Sequence, residues 1–336
     1  MLRRILLLTG LIIVAGVIYL NNASKHEIGS LLLSGSTMGT TYHIKLVLPS
    51  EANIEPDALS DQIKKTLSKI DHLMSTYKPD SEVSRFNQLP INKWQTLSEP
   101  TYHVIESALH YSEISQGAFD ITVGKLVNLW GFGPTFNVNT IPDTHSIDQL
   151  RNNIGYKKLQ LRSDPMSVLK ESDSIYIDLS AIAKGYAVDA VADVLEMNSL
   201  SDYMVEIGGE IRTSGTKQAG QPWAIGVESP VTDHRSVQKV LHLQQSAMAT
   251  SGDYRNYFEH DGQRFSHTID PRTGYPIKHK LASVTVIAET CMDADALATL
   301  LTVLGPQSGM EFAEQHNLAI FMIIKTAEGF TEQFST

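Results

Sequence analysis

Apolar side chains recur along the chain with two different periods, and each period predicts one kind of element. Alternation over residues 41–48 predicts a strand, because successive side chains of a strand point to opposite faces. Spacings of three and four residues predict a first helix, whose apolar face is formed by Leu59, Ile63, Leu67, Ile70 and Met74. A second helix is predicted to run from Pro100, a favourable first position, towards Gly117.

Apolar runs in the second half of the chain predict seven further strands. They cover residues 157–161, 175–178, 203–207, 223–227, 237–243, 282–288 and 318–324. These strands are grouped rather than alternating strictly with helices, so we expect an α+β fold with largely antiparallel sheets and packed helices. The segment 133–146, rich in Pro, Asn and Thr, is the best candidate for a linker or mobile loop.

A turn-rich segment at residues 265–276 contains a single histidine, His267. We expect Phe265 and Ile269 to lie in one short strand, which ends at a turn formed by residues 270–274. The histidine would then have a rigid support and could act as a general base, because its pKa suits proton transfer near neutral pH. The alternative is a surface hairpin that carries an incidental histidine.

Residues 174–185 are expected to run as a strand into Asp178, pass Ser180 and enter a helix over residues 182–195. Unpaired amides and the positive end of the helix dipole favour phosphate at such a place, and Lys184 adds a formal charge. The alternative is a packing helix with Ser180 as its N-cap.

A third segment, residues 292–304, is predicted to form a helix that ends at Gly305. Asp295 and Thr299 are four residues apart, so both oxygens project from one helical face and could hold one hard cation such as Mg²⁺. The alternative is that Asp293 and Asp295 only complement the helix dipole, an effect of about 0.3 to 1 kcal/mol.

These three segments belong to a longer series of motifs, at residues 36–42, 74–77, 81–87, 117–124, 129–133, 178–185, 208–209, 251–254, 267–274 and 293–299. In this order the motifs resemble those of the ApbE family, the FAD:protein FMN transferases. The resemblance covers about residues 34–325. Gly208 and Gly209 are expected inside a strand over residues 203–211, where a ligand or another backbone segment approaches closely.

The resemblance implies that FAD is split at its pyrophosphate, that FMN passes to a threonine or serine hydroxyl of an acceptor protein, and that AMP leaves. It implies His267 as the catalytic base. It also implies Mg²⁺ held by Asp295, Thr299 and the backbone carbonyl of Ala181. The residues implied to contact FAD are Met38, Tyr77, Ala118, Phe119, Asp120, Asp178, Lys184 and Ile269.

Residue chemistry agrees with these roles but leaves alternatives. A flavin offers a flat face that Tyr77 or Phe119 can cover, although composition alone favours ordinary core residues at both positions. An FAD pyrophosphatase that releases FMN and AMP to water would share the same phosphate and metal machinery. A flavin-binding carrier would need neither His267 nor the pair Asp295 and Thr299, so these residues favour an enzyme.

Composition limits the partners. The chain has 336 residues, 42% hydrophobic and 19% charged, which is typical of a globular protein. A net charge of -10 argues against nucleic acid as a partner, because such a surface repels a phosphate backbone. Cys291 is the only cysteine, which excludes an intrachain disulfide and a Cys-only zinc site and favours a buried packing role.

The N-terminus bears on location. Arg3 and Arg4 precede an apolar run at residues 5–20 that no cysteine follows, so the lipoprotein anchor common in the ApbE family is not expected. We favour a retained signal anchor within residues 1–24 over a cleaved signal peptide. The arginines would stay inside, which places residues 25–336, the expected transferase domain, on the periplasmic side of a bacterial inner membrane. The resemblance suggests acceptors among periplasmic domains of membrane redox complexes, such as sodium-pumping NADH:quinone reductase.

Overall fold

The computed structural model describes most of the chain, namely residues 29–49, 54–134, 141–230, 236–252 and 257–335. The expected anchor at residues 5–20 and the middle of the expected loop, residues 135–140, lie outside these ranges. Within them, no helix combines the length and the apolar character needed to cross a membrane.

An eight-stranded sheet forms the centre of the molecule. Its strands, in spatial order, are β1 (Gly29–Thr37), β2 (Thr40–Leu48), β6 (Tyr203–Ile207), β7 (Glu210–Ser214), β10 (Ser246–Gly252), β15 (Leu281–Ala288), β16 (Ala319–Thr326) and β17 (Gly329–Phe334). Every neighbouring pair in this sheet is antiparallel. The predicted α+β fold with antiparallel sheets is therefore confirmed.

Four smaller antiparallel sheets surround it. Their strands are β3 (Gln95–Thr96), β4 (Leu159–Ser163) and β5 (Met166–Lys170) in one sheet, then the pairs β8 (Trp223–Glu228) with β9 (Val237–Leu243), β11 (Tyr257–His260) with β12 (Gln263–Ser266), and β13 (Ile269–Asp270) with β14 (Tyr275–Pro276). The last two pairs flank His267, so the histidine lies between two hairpins.

Seven α-helices are described: α1 (Pro56–Met74), α2 (Glu82–Gln88), α3 (Glu99–Ile114), α4 (Gly124–Leu129), α5 (Thr144–Asn153), α6 (Ala183–Met197) and α7 (Cys291–Gln315). All five residues of the predicted apolar face of α1 are buried. In α7 the helical backbone is interrupted at Gly305, whose φ of 78° precedes Pro306. The predicted end at Gly305 is thus a break, after which a further helical segment continues.

Helices α1, α6 and α7 pack with one face of the central sheet in a single apolar core. Ile44 and Val205 contribute from the strands, and Val188 and Leu301 contribute from α6 and α7, each with no exposed surface. Cys291, at the start of α7, is also completely buried, in agreement with a packing role. This core fixes the relative positions of the two helices that reach the site.

The predicted strand at residues 175–178 does not form. This segment makes one isolated bridge, between Tyr176 and Val123. Ile177 donates its N–H to Asn87 Oδ1 at 2.7 Å and accepts from Asn87 Nδ2 at 2.9 Å. The flanking groups bond to another loop, because Tyr176 accepts from the Gly124 N–H at 3.1 Å and Asp178 donates to the Ile121 carbonyl at 2.9 Å. At Ile177 a side-chain amide thus takes the place of a partner strand, which an apolar pattern cannot reveal. The strand predicted at 157–161 is also displaced, since Tyr156–Lys158 is a 3-10 turn and β4 follows it.

The glycine pair was wrongly placed inside a strand. Gly208 and Gly209 form the turn between β6 and β7, with φ values of +64° and +105°. Such angles favour glycine and end a strand. The turn makes Glu210 the first residue of β7 and places it at the edge of the cavity described below.

Candidate active site

A cavity of about 430 Å³ opens where α6, α7, β7, β10 and the loop containing His267 converge. Eleven of the twelve residues that the family resemblance singles out line its wall. They are His267, Tyr77, Ala118, Phe119, Asp120, Asp178, Lys184, Ile269, Ala181, Asp295 and Thr299. Residues far apart in sequence therefore meet at one place, and their individual roles stay predictions.

Met38 is the exception. It lies in the turn between β1 and β2 with a positive φ of 48°, and its half-buried side chain packs on the main core. It is not part of the cavity wall.

Three charged side chains form the polar end of the cavity. Lys184, in the first turn of α6, makes an ion pair with Oε1 of Glu210. Its Nζ lies 3.9 Å from Oδ1 of Asp295 on α7. Both carboxylates are at most 7% exposed, so their charges interact with little screening by solvent.

The pKa directions follow from this burial. Burial raises the pKa of Asp295, and the Lys184 ammonium opposes the shift. Burial and the nearby Asp295 carboxylate also raise the pKa of Glu210, and the Lys184 ammonium opposes this shift. Burial alone would lower the pKa of Lys184, but the two carboxylates outweigh it and raise that pKa above its ordinary value. Lys184 is therefore a cation across the physiological pH range.

The start of α6 is tied to α7 by one hydrogen bond. The Gly185 N–H, one of the first-turn donors of α6 that have no acceptor within the helix, donates to Asp295 Oδ2 at 3.0 Å. A Cβ at position 185 would lie 2.2 Å from the Cys291 carbonyl oxygen, so only glycine permits this approach. The bond fixes the Asp295 carboxyl.

Ser180 is not the N-cap of α6, contrary to the alternative considered from the sequence. The N-cap position is Ile182, which has no capping side chain. Ser180 instead donates both its N–H and its hydroxyl to Asp178 Oδ1, at 2.9 and 2.6 Å. These bonds close a tight turn just before the helix.

Three oxygen ligands at the cavity wall are of the type that binds a hard cation. Asp295 offers Oδ1, Thr299 offers a hydroxyl and Ala181 offers a carbonyl, all oxygen atoms of the type that Mg²⁺ prefers. Among the described residues there is no group of three or more His, Cys, Asp or Glu side chains arranged to hold a metal ion. A sparse oxygen set of this kind suits a cation that keeps water and shares phosphate oxygens.

Asp120 lines the cavity and also connects two loop segments by hydrogen bonds. Its Oδ1 accepts from the Thr122 N–H and hydroxyl at 2.8 and 2.7 Å, and its Oδ2 accepts from the Tyr156 N–H at 2.8 Å. Burial raises the pKa of Asp120, and these hydrogen bonds oppose the shift. The carboxyl thus holds the loop that carries Ala118 and Phe119.

His267 lies at the bend between β12 and β13, so Phe265 and Ile269 belong to two short strands and not to one as predicted. The bend rests on an aromatic cluster in which Trp130 stacks on Phe265, with ring centres 5.7 Å apart. Trp130 also donates its indole N–H to the Gly274 carbonyl at 2.9 Å, which anchors the following turn. His267 thus lies between this aromatic cluster and the anchored turn.

The two aromatic candidates differ in exposure. Tyr77 is 70% exposed at the cavity mouth, so it is not a core residue. Phe119 is 3% exposed and contacts the Tyr111 ring edge-on at 6.3 Å, so it belongs to the core while reaching the cavity wall.

The sequence interpretation missed Glu210. Its carboxylate is 4% exposed, contacts Lys184 and lines the cavity. Its position directly after the glycine pair was the available signal, but burial of a strand carboxylate depends on the turn that the pair forms.

Comparisons with known proteins show which family the sequence matches. The sequence profile of the ApbE family matches residues 38–322. FAD:protein FMN transferases from Vibrio cholerae and Haemophilus influenzae are 45% and 43% identical to the chain, over 304 and 334 residues. These alignments cover 90% of both chains for the first, and 98% of this chain and 96% of the relative for the second.

Solved structures show the same fold. The flavin transferase ApbE from Vibrio cholerae superposes with a TM-score of 0.85 at 43% identity, covering 92% of this chain and 98% of that one. The apo flavinyl transferase ApbE of Pseudomonas stutzeri gives a TM-score of 0.84 at 37% identity, covering 92% and 95%. The fold is thus that of the flavin transferases. The chain belongs to the ApbE family.

Proposed function

We propose that this protein transfers FMN from FAD to a threonine or serine hydroxyl of an acceptor protein, with Mg²⁺ as cofactor and AMP as the leaving group. One observation carries the proposal. A single cavity wall combines the Lys184 cation, the oxygen donors of Asp295 and Thr299, and the His267 imidazole. Family membership supports flavin transfer from FAD.

The transfer divides into tasks that these side chains can perform. His267 accepts the proton of the acceptor hydroxyl, whose oxygen bonds to the phosphorus of the FMN half. The bridging P–O bond of the pyrophosphate breaks and AMP leaves with the bonding electrons. Lys184 neutralises charge on the phosphates throughout, because it stays protonated.

A divalent cation held by Asp295, Thr299 and the Ala181 carbonyl would supply further neutralisation of the pyrophosphate. Gly185 contributes indirectly, since its N–H fixes Asp295 Oδ2 and leaves Oδ1 directed towards Lys184.

Binding of the flavin is assigned to the aromatic and loop residues of the wall. The exposed ring of Tyr77 can cover one face of the isoalloxazine, and Phe119 and Ile269 provide apolar surface. Ala118, Asp120 and Asp178 complete the proposed contacts with FAD, and Met38 is proposed to join them from outside the cavity wall.

Intact-mass spectrometry of a candidate acceptor tests the proposal. The purified protein is incubated with FAD, Mg²⁺ and a periplasmic domain of a membrane redox complex that contains exposed threonines. We expect a covalent FMN adduct on the acceptor, lost when the modified threonine is changed to alanine. Formation of free FMN and AMP with no adduct would show a pyrophosphatase, and unchanged FAD would show a carrier.

The location is also a proposal. We propose that residues 1–24 tether the protein to a bacterial inner membrane and that the catalytic domain faces the periplasm. The arginines before the apolar run support this arrangement.

A further inference from the structure

Glu210 is a buried carboxylate at the cavity to which the proposed reaction gives no task. It is 4% exposed, and only Oε1 is engaged, by the Lys184 ammonium. Its Oε2 has no hydrogen-bond partner among the described residues. A buried carboxylate is normally paired and hydrogen-bonded, so the ion pair with Lys184 is what compensates this charge.

Lys184 stands between two carboxylates and contacts them unequally. It pairs directly with Glu210, whereas its Nζ is 3.9 Å from Asp295 Oδ1, beyond hydrogen-bonding distance. Asp295 is itself held in place through Oδ2 by the Gly185 N–H. Lys184 therefore lies on the side of Glu210, and Oδ1 of Asp295 receives no hydrogen bond from it.

An ammonium group and a divalent cation compete for the same carboxylate oxygen. If Lys184 bonded Asp295 directly, a metal ion would have to displace it. Glu210 offers a competing negative charge on β7, on the other side of the lysine. It also leaves the lysine with further N–H donors, because one contact uses only one of three.

We propose that Glu210 is a positioning residue, which holds the Lys184 ammonium away from Asp295 and so keeps Asp295 Oδ1 open for a cation. This inference rests on the proposed cation site at Asp295. Glu210 acts through Lys184 and does not itself bind the cation.

A double-mutant cycle on cation affinity tests the inference without flavin or turnover. The Mg²⁺ dissociation constant is measured by calorimetry for the wild type, Glu210→Gln, Lys184→Met and the double variant. Glu210→Gln should weaken Mg²⁺ binding about tenfold or more while Lys184 is present, because the released ammonium turns to Asp295. In the Lys184→Met background the same change should alter the constant by no more than about threefold.

Two control variants distinguish failure of the positioning role from failure of the cation site. Glu206→Gln removes a carboxylate on the same hairpin that pairs with His43 at 2.7 Å outside the cavity, and Mg²⁺ affinity should not change. Asp295→Asn should weaken cation binding strongly in every background, because the amide loses the charge. Wild-type Mg²⁺ affinity in Asp295→Asn would refute the cation site itself, whereas the positioning role fails on a different result.

The positioning role is wrong if Glu210→Gln leaves Mg²⁺ affinity unchanged, or weakens it by the same factor with and without Lys184. Equal factors would mean that Glu210 acts by its own charge or as a ligand. Should Glu210→Gln fold poorly, a large loss of Mg²⁺ affinity between Lys184→Met and Lys184→Met/Glu210→Gln would still overturn the inference. A cation-free crystal structure of Glu210→Gln should show Lys184 Nζ within hydrogen-bonding distance of Asp295. A Lys184 ammonium in the same position as in the wild type would contradict the positioning role.

Discussion

At the scale of single residues, the three aspartates of the cavity wall have the same chemistry but different hydrogen-bond partners. Asp120 and Asp178 accept hydrogen bonds from their own loops. Asp295 is held by one backbone N–H and keeps its second oxygen near Lys184. The difference lies in local hydrogen bonding, which a list of acidic residues in the sequence does not contain.

His267→Ala tests the proposed base. We expect transfer to fall by about 10² to 10⁴, the usual cost of removing a general base, while FAD affinity stays near that of the wild type. Single-turnover transfer and flavin fluorescence titration measure the two quantities. His72→Ala, on an exposed histidine of α1 outside the cavity, is the matched control and should behave as wild type. Near-normal transfer by His267→Ala would remove the histidine from the mechanism.

Asp295→Asn tests the proposed cation ligand. The amide keeps the shape but loses the charge, so half-maximal activity should require a higher Mg²⁺ concentration, with partial rescue at high metal. The control is Asp293→Asn in the same helix, since Asp293 accepts from Tyr111 and Thr290 outside the cavity and should leave the Mg²⁺ requirement unchanged. Equal activity of the wild type in EDTA and in Mg²⁺ would contradict the assignment.

At the scale of elements, the long periodic segments could be predicted and the short ones could not. The apolar spacing identified α1 and α6, and alternation identified β2. The strand predicted at 175–178 failed because the Asn87 side chain bonds the backbone of Ile177, where a neighbouring strand would otherwise pair. Such pairing depends on residues about 90 positions away, which local pattern does not include.

The same reasoning explains what was missed at the site. Resemblance named eleven residues that share the cavity, but Glu210 follows a glycine pair that was expected within a strand. Once Gly208 and Gly209 form a turn, Glu210 begins β7 beside Lys184. Because the turn at Gly208 and Gly209 was not predicted, the burial of the Glu210 carboxylate was not predicted either.

Gly185→Ala tests the close contact between α6 and α7. The added methyl would meet the Cys291 carbonyl oxygen at 2.2 Å and Asp295 Cβ at 2.8 Å, so the helices must separate. We expect a loss of about 1 to 3 kcal/mol in the free energy of unfolding, together with weaker Mg²⁺ binding, because Asp295 loses its backbone donor. Urea unfolding and calorimetry measure these effects. Gly29→Ala, where the new methyl would make ordinary contacts of 3.6 Å, is the control and should change neither. Wild-type values for Gly185→Ala would show that the contact is not required.

At the scale of the whole molecule, every proposed site residue lies at or beyond Met38, so catalysis should not depend on the N-terminal segment. Deleting residues 1–24 should give a soluble protein that still binds FAD and modifies an acceptor in solution. The full-length protein should fractionate with membranes and resist extraction by salt, because a buried apolar helix is not held by charge. A mature form whose N-terminus lies near Ser24 would instead identify a cleaved signal peptide.

The central claim is that one cavity holds FAD and a divalent cation together for transfer. A crystal structure of the protein with FAD and Mn²⁺, whose anomalous scattering locates the metal, tests it most directly. We predict the metal on Asp295, Thr299 and the Ala181 carbonyl, the pyrophosphate beside Lys184, and the flavin ring against Tyr77. Flavin bound elsewhere, or a metal coordinated by other residues, would contradict the account.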